Sequence, residues 1–379
     1  MSRLDIIKKI KHIGTQKNQW YDITNIRKMN ATYNIIMGMR SNGKTYGALE
    51  RSLERYQEDG SRLIIVRRWA TDITTKTGSS YFDGLVQNHE IEKYTDGKWD
   101  RVVYRSSRWY FAKHDNEKNK LVTDVEPFAY FFALNTWEHD KGAFFKDVRN
   151  IIFDEFMTRG VYLPDEFVIF MNVISTVIRR RDEKFEIYML ANTVSMYGCP
   201  YWREMGLMHA TEMEQGTIAV YDYGKTGNRV AVEYVKDNKK SEFNPTDKYF
   251  AFGNPRLNMI TDGAWELAMY PHLPVKYDEK NVLFRYFILY EGDILQCNII
   301  KVDDFLFTYI HEKTTPLKDP DRDLIYSLES IPTRNHRISP LKPQNQKERR
   351  ISWFYDNDRV FYADNYIGEQ VMNFLKGSS

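Results

Sequence analysis

The stretch Gly38-Met39-Arg40-Ser41-Asn42-Gly43-Lys44-Thr45 decides the fold of this chain, because it fits the pattern Gly-x-x-x-x-Gly-Lys-Ser/Thr in full. An apolar run precedes it and helix-forming residues follow it, so a predicted strand and a predicted helix flank the loop. Such a loop holds phosphates with its N–H groups, the helix N-terminus and its lysine, while its threonine can bind Mg²⁺. The predicted cofactors are therefore ATP and Mg²⁺. The predicted nucleotide-binding residues are Gly38, Arg40, Ser41, Asn42, Gly43, Lys44, Thr45 and Tyr46.

The tripeptide Gly-Lys-Thr occurs a second time, at Gly224-Lys225-Thr226. Position 219 is alanine where the pattern requires its first glycine, and the residues lie between two β-rich runs in a predicted hairpin. The second copy therefore lacks the sequence context of a phosphate-binding loop.

An acidic pair follows the apolar run 150–153. Asp154 and Glu155 stand at the predicted carboxyl end of a buried strand, where open α/β sheets place their ligands. Asp154 is predicted to hold Mg²⁺ together with Thr45, and Glu155 is predicted to orient and deprotonate the attacking water. An acidic pair after a strand is by itself weak evidence for a catalytic site, because such residues are common in loops. Together with the phosphate loop, the pair indicates ATP hydrolysis.

Strand and helix signals alternate across the first half of the chain. Predicted strands lie at 33–37, 63–66, 128–134, 150–153 and 185–191, with a helix at 164–177. This alternation predicts an α/β domain with a mainly parallel sheet. More than a hundred residues separate Thr45 from Asp154, which is typical of RecA-like and other ASCE ATPases. Beyond about residue 215, hairpin signals at 217–235 and 282–302 and a terminal helix at 366–375 predict an α+β region.

Several polar residues could complete the site. Asn192 follows the strand 185–191 and would lie near the γ-phosphate, although an ordinary strand-end turn explains it equally well. Arg179, Arg180 and Arg181 end the predicted helix and could supply a cation to a neighbouring subunit. A solvated helix C-terminus is the alternative for these arginines. Lys141 is a second candidate for that cation.

Composition excludes several classes of protein. The 379 residues include 54 Lys and Arg against 52 Asp and Glu, and two distant cysteines, Cys199 and Cys297. This pattern gives neither a disulfide framework nor zinc-ligand spacing. No apolar run reaches the roughly 18 residues of a membrane span, so we expect a soluble, unsecreted protein with no membrane partner. Basic islands at 1–30 and 334–350 could bind phosphates or be solvated surface.

The order of several motifs carries a family resemblance. Four stretches follow one another in a characteristic order: Ile65-Val66-Arg67-Arg68, then 130–134 followed by Lys-Gly, then 151–156, then Leu190-Ala191-Asn192. This succession resembles the DNA-packaging ATPases of phi-29-like tailed phages, which are relatives of the large terminases. The resemblance covers roughly residues 30–215. It implies a homomeric ring, expected to be a pentamer, at the procapsid portal in the host cytoplasm. That ring would move double-stranded DNA inward at the expense of ATP, with Arg179 to Arg181 and Lys141 as trans-acting residues.

The resemblance also implies a fold class and a domain plan. We expect a RecA-like ASCE ATPase domain followed by a smaller α+β domain of vestigial RNase H-like type. The expected divisions are 1–30, a basic segment packing on the ATPase domain; 31–215, the P-loop ATPase domain; 216–245, a hairpin or linker; and 246–379, a nucleic-acid-binding domain. The last would contact DNA or a structural packaging RNA.

Two other functions remain open at this point. One is an active large terminase whose C-terminal domain cuts DNA, although no convincing set of converging carboxylates is visible there. The other is a RecA-like DNA helicase or translocase.

Overall fold

The computed structural model describes residues 6–12, 21–39, 42–115, 119–140, 145, 147–158, 162–179, 181–192, 199–236, 270–273 and 275–378. The chain divides into two compact units. The first contains most of residues 1–265, and the second consists mainly of residues 266–379. The expected boundary at 245/246 lies outside the described residues. No helix within the described ranges is long and apolar enough to cross a membrane.

The first unit is built on one large sheet. Its described strands are β1 (Ile6–His12), β2 (Tyr33–Gly38), β3 (Arg62–Arg67), β4 (Arg101–Arg105), β5 (Arg108–Asp115), β6 (Lys120–Thr123), β7 (Ala129–Ala133), β8 (Val148–Asp154), β9 (Glu186–Asn192), β10 (Thr217–Tyr223) and β11 (Asn228–Tyr234). They follow the order β1-β10-β11-β2-β9-β8-β3-β7-β5-β4, with β6 on β5. The run from β11 to β7 is parallel throughout. The predicted parallel α/β fold is confirmed.

Buried apolar side chains explain the centre of this sheet. Ile35, Ile36 and Met37 of β2 are completely buried, as are Ile151 and Ile152 of β8. Strands covered on both faces carry such continuous apolar runs, whereas half-exposed strands alternate. The sequence pattern of these strands therefore follows from their central position.

Helices connect and cover the strands of the first unit. They are α1 (Thr24–Arg27), α2 (Lys44–Asp59), α3 (Thr75–Ser80), α4 (Asp83–Gln87), α5 (Glu90–Tyr94), α6 (Glu166–Ile178) and α7 (Pro200–Glu204). The longest, α2, follows β2 directly, and Gly60 ends it in the left-handed conformation that glycine favours. Ala48, Leu49 and Leu53 of α2 are buried in the apolar core of this unit.

The hairpin predicted at 217–235 is present as β10 and β11, and both strands belong to the large sheet. β11 pairs in parallel with the phosphate-loop strand β2, and β1 pairs antiparallel with β10. Val230, Ala231 and Val232 of β11 are completely buried. The hairpin is thus part of the large sheet, and its apolar strand β11 is buried beside β2.

The second unit is built on a smaller mixed sheet. Its elements are β12 (Val282–Tyr290), β13 (Asp293–Val302), β14 (Phe305–Glu312), β15 (Ile325–Ser327), β16 (His336–Arg337), α8 (Gln346–Asp356), β17 (Val360–Tyr362) and α9 (Asn365–Gly377). The strand order is β16-β15-β12-β13-β14-β17, with β12, β13 and β14 antiparallel and β15 parallel to β12. Side chains of α8 and α9, including Ile351 and Phe374, pack in its core. The predicted hairpin and terminal helix are both present.

Candidate ATP site

Two glycines shape the loop between β2 and α2. A Cβ atom on Gly38 would lie 2.9 Å from the Asn42 side-chain nitrogen and 3.0 Å from Cβ of Val235, so only glycine fits there without displacement. Gly43 has φ of 97°, which a residue with a side chain rarely adopts, and it immediately precedes the first turn of α2. The two glycines of the pattern therefore have distinct structural roles. Arg40 and Ser41 lie outside the described residues.

Lys44 is buried at the start of α2, with 5% of its surface exposed. Its Nζ donates to the carbonyl oxygens of Met39 at 2.6 Å and Gly38 at 3.1 Å, and to Oδ1 of Asn42 at 3.1 Å. Oδ1 of Asn192, at the end of β9, lies 3.4 Å away. Burial lowers the pKa of Lys44 to about 8, while Asp154 acts in the opposite direction. The ammonium is thus held by neutral oxygens in the crevice where phosphates would bind.

Asp154 ends β8 and faces the start of α2. Thr45 Oγ1 lies 3.3 Å from Asp154 Oδ1, although more than a hundred residues separate them in sequence. Strands β2, β9 and β8 are parallel neighbours, so their carboxyl ends meet at one sheet edge. A hydroxyl and a carboxylate oxygen are the hard ligands that Mg²⁺ prefers. The residues present therefore fit the metal that the sequence implies.

Arg67, the last residue of β3, contacts both acidic residues. Its Nη1 lies 3.1 Å from Oδ2 of Asp154, and its Nη2 lies 2.6 Å from Oε2 of Glu155. Glu155 has φ of 56°, a left-handed conformation that costs of order 1 kcal/mol for a residue other than glycine. About half of the Glu155 side chain is exposed. The candidate base thus reaches solvent from a strained turn directly after β8.

Tyr81 provides a further contact to Asp154. Its hydroxyl donates to Asp154 Oδ2 at 2.7 Å. Burial and the neighbouring Asp154 carboxylate raise the pKa of Tyr81 well above its ordinary value. The hydroxyl therefore keeps its proton and remains a donor at neutral pH.

A buried ion pair lies behind the acidic residues. Arg68 contacts Glu166 through two hydrogen bonds, at 2.6 and 2.8 Å, and both side chains are almost fully buried. The same guanidinium donates to the carbonyl oxygen of Phe156 at 2.6 Å and lies 3.4 Å from that of Glu155. Tyr201 donates its hydroxyl to Glu166 at 3.0 Å. Through these carbonyl contacts, the Arg68–Glu166 pair fixes the backbone at Glu155 and Phe156.

The crevice brings together most of the predicted residues. It is lined by Asn42, Gly43, Lys44, Thr45, Tyr46, Asp154, Glu155, Leu190, Ala191 and Asn192. Tyr46 is further held by Asn88, whose amide donates to the tyrosine hydroxyl at 2.9 Å. Asn192 contacts Lys44 as described above, and its place beside the γ-phosphate stays a prediction.

The predicted trans-acting residues lie elsewhere or outside the described ranges. Arg181 donates to the carbonyl oxygens of Val177 and Val148, both at 2.7 Å. Val148 begins β8 and Asp154 ends it, so Arg181 lies at the opposite sheet edge from the crevice of its own chain. Arg179 ends α6 in a left-handed conformation. Arg180 and Lys141 are not among the described residues, and a role in a neighbouring subunit stays a prediction for all four.

Sequence reasoning missed four residues at this site: Arg67, Arg68, Tyr81 and Glu166. Arg67 and Arg68 carried a usable signal, since both directly follow a predicted parallel strand at the edge where ligands bind. Tyr81 and Glu166 belong to no motif, and their contacts to Asp154 and Arg68 span 73 and 98 residues. Only the folded chain reveals them.

The parallel sheet, the phosphate loop and the acidic residues facing it define the fold of a P-loop ATPase. The chain belongs to the family described as "Podovirus DNA encapsidation protein (Gp16)", whose model matches residues 15–248.

Relatives agree with this membership. The chain is 23% identical over 284 residues to the DNA packaging protein of Bacillus phage PZA, covering 73% of this chain and 74% of the relative. It is 24% identical over 233 residues to the DNA packaging protein of Bacillus phage phi29, covering 60% and 61%.

Two solved structures share the fold across nearly the whole chain. The Phi-28 gp11 DNA packaging motor matches with a TM-score of 0.58 and 16% identity, covering 96% of this chain and 99% of that one. The bacteriophage Phi-29 viral genome packaging motor assembly matches with a TM-score of 0.59 and 18% identity, covering 96% and 100%. At these identities the likeness establishes the fold.

Proposed function

We propose that this protein hydrolyses ATP with Mg²⁺ and couples hydrolysis to movement of double-stranded DNA into a procapsid through its portal. The observation that carries the proposal is the meeting of Lys44, Thr45, Asp154 and Glu155 at one sheet edge in a member of a DNA encapsidation family. We assign ATP turnover to residues 31–215 and DNA or RNA contact to residues 246–379. We assign residues 216–245 to a hairpin segment, whose strand β11 pairs with the ATPase strand β2.

The chemistry follows from the side chains of the crevice. The N–H groups at the start of α2 and the Lys44 ammonium bind the phosphates, since the helix N-terminus and the cation both attract negative charge. Thr45 and Asp154 would hold Mg²⁺, which neutralises charge on the phosphates when bound. Glu155, which lines the crevice and contacts Arg67, accepts the proton of the attacking water. Asn192, bound to Lys44, adds a polar contact on the phosphate side.

A homomeric ring, which we expect to be a pentamer, would complete each site. Arg179, Arg180, Arg181 and Lys141 are the candidates for a cation supplied to the neighbouring subunit. In the described chain Arg181 already binds backbone carbonyls of α6 and β8. Both contacts are made by Nη2, so a role of Arg181 in trans would use its other N–H groups or replace these hydrogen bonds. The mass of the assembled ring tests the stoichiometry.

We assign the second unit to binding rather than cleavage of nucleic acid. The hydroxyl of Tyr366 donates to Asp293 at 3.0 Å, and the amide of Gln370 donates to it at 3.3 Å, so this carboxylate joins β13 to α9. Glu291 occupies a left-handed turn position with φ of 50°. Both acids thus have ordinary structural roles. Arg349 and Arg350 are exposed on α8 and are candidates to contact DNA phosphates or a packaging RNA.

The replacement Glu155→Gln tests the ATPase proposal. We expect ATP turnover, measured with procapsids, portal and double-stranded DNA, to fall by about two to four orders of magnitude, because a general base contributes that much. Nucleotide affinity should change little, since Glu155 does not hold the phosphates. Glu126→Gln is a matched control, because this exposed glutamate also pairs with an arginine, Arg62 at 3.2 Å, and Arg62 begins β3 at the edge away from the crevice.

Three results would oppose the proposal. Unchanged turnover in Glu155→Gln would show that another group is the base. Stimulation by single-stranded but not double-stranded DNA would favour a helicase. Metal-dependent cleavage of DNA by the full chain would favour an active terminase nuclease.

A further inference from the structure

The two oxygens of the Asp154 carboxylate have different surroundings. Oδ1 faces the Thr45 hydroxyl at 3.3 Å, on the side where the metal would bind. Oδ2 accepts hydrogen bonds from the Tyr81 hydroxyl at 2.7 Å and from Arg67 Nη1 at 3.1 Å. Asp154 is 8% exposed, so few other groups compete for it. One oxygen is thus directed to the metal side while the other is anchored to the protein.

Tyr81 is itself fixed by tight packing. It directly follows α3, and α3 lies against the ring of Tyr104 so closely that a Cβ on Gly78 would be 2.5 Å from that ring. Trp109 Nε1 donates to the Gly78 carbonyl oxygen at 2.8 Å, and Trp109 is completely buried. The rings of Tyr81 and Trp109 are 5.7 Å apart. The aromatic cluster therefore determines where the Tyr81 hydroxyl lies.

We propose that Tyr81 is a positioning residue for the metal-binding carboxylate: its hydroxyl fixes the rotation of Asp154 so that Oδ1 faces Thr45 and the bound metal. The inference rests on the proposed function, in which Asp154 and Thr45 hold Mg²⁺. Groups that orient metal ligands typically contribute 10- to 100-fold to metal affinity, because a freely rotating ligand must be ordered on binding.

A change at Tyr81 tests the orientation of the Asp154 carboxylate more specifically than a change at Arg67. Arg67 also binds Glu155 at 2.6 Å and lies 3.7 Å from Asp72, so its removal changes several acids at once. The change Tyr81→Phe removes one oxygen and keeps the ring that packs on Trp109. Tyr104→Phe is the matched control, because its ring packs on the same Trp109 at 4.8 Å and the change also removes one hydroxyl.

Mn²⁺ binding to the full-length chain, followed by electron paramagnetic resonance with a non-hydrolysable ATP analogue, measures the effect directly. We expect Tyr81→Phe to bind Mn²⁺ about tenfold more weakly than the wild type. Tyr104→Phe should bind as the wild type does. Affinity for the analogue in excess chelator should be equal in all three proteins, and a sufficient rise in Mg²⁺ should restore ATP turnover in Tyr81→Phe.

Wild-type Mn²⁺ affinity in Tyr81→Phe would overturn the inference. An equal loss of Mn²⁺ affinity and of metal-free nucleotide affinity would also overturn it, since that result describes general damage to the crevice. The variant Asp154→Asn distinguishes a failure of the inference about Tyr81 from a failure of the proposed function. If Asp154→Asn keeps the wild-type Mn²⁺ affinity, the metal site itself is wrongly assigned.

Discussion

The tripeptide Gly-Lys-Thr stands at two places in the same sheet, at 43–45 and at 224–226. The first copy follows the parallel strand β2 and opens the helix α2. The second forms a short 3₁₀ turn between the antiparallel strands β10 and β11. Because β11 runs parallel to β2, the turn that precedes β11 lies at the amino edge of β2, opposite the crevice. Identical residues thus lie at opposite edges of neighbouring strands.

The difference shows where the chemistry of the first copy originates. At the carboxyl edge, the ends of β8 and β9 bring Asp154 and Asn192 beside Lys44 and Thr45. A helix of 16 residues begins there, and its N-terminus adds positive potential. The turn at 224–226 is followed by a strand rather than a helix. In the proposed function, the first tripeptide can act on ATP because neighbouring strand ends place Asp154 and Asn192 beside it.

Replacing each lysine by alanine tests this comparison with the largest expected effect. Lys44→Ala should lower DNA-stimulated ATP turnover by about 10³-fold, roughly 4 kcal/mol, because a preorganised cation on the transferring phosphate is lost. Lys225→Ala should leave turnover at the wild-type level. Turnover measured with procapsids and double-stranded DNA checks both. A comparable loss in the two variants would mean that location in the sheet does not separate them.

Sequence patterns predicted those residues of the candidate site that directly follow predicted strands. The loop, Thr45, the Asp154-Glu155 pair and Asn192 each follow a strand signal, and the rule that parallel strands end at one edge brings them together. The strand β11 was predicted but not its position beside β2, because its register with β2 depends on contacts about 200 residues apart. The helix α8 was missed, since its charged residues Lys347, Glu348, Arg349 and Arg350 resemble a solvated basic segment.

Tyr81 illustrates why the rest could not be predicted. It stands among short helices that carry no recognised motif, and an aromatic cluster from distant strands places its hydroxyl on Asp154. Arg68 and Glu166 likewise pair across 98 residues. Contacts of this kind depend on packing rather than on periodicity, so single-sequence patterns do not contain them.

A second test compares the ion pairs near the two tripeptides. Arg68 and Glu166 lie behind the crevice, whereas Arg229 and Asp222 flank the turn with 41% and 30% of their side chains exposed. Glu166→Gln should lower the free energy of unfolding by about 3 kcal/mol, because it leaves a buried guanidinium without its counter-charge. Asp222→Asn should cost no more than about 1 kcal/mol, since exposed pairs contribute little. Urea-induced unfolding measures both.

Turnover of the folded variants adds a second readout to this pair. Arg68 also holds the backbone carbonyl oxygens at Glu155 and Phe156, so Glu166→Gln should reduce turnover as well as stability. Asp222→Asn should not change turnover. Equal losses of stability in the two variants would show that burial does not distinguish the surroundings of the two tripeptides.

The smallest effect concerns the protonation of Lys44. Burial lowers its pKa to about 8, while bound phosphates favour the charged form and raise that pKa. ATP should therefore bind best below this value, and its affinity should fall by up to about tenfold per pH unit above it, because binding then requires proton uptake. Calorimetry between about pH 7.5 and 9, in buffers of different ionisation enthalpy, measures the affinity and the protons taken up.

Control variants assign this pH dependence to one lysine. Lys225→Ala should keep the wild-type slope, whereas Lys44→Arg should lose it, because arginine stays charged throughout this range. Glu233, whose pKa burial raises to about 7, titrates at lower pH, so Glu233→Gln should leave the slope above pH 8 unchanged. A constant affinity across the range would mean that Lys44 remains fully charged in the crevice. The carbonyl oxygens of Gly38 and Met39 would then compensate its burial completely.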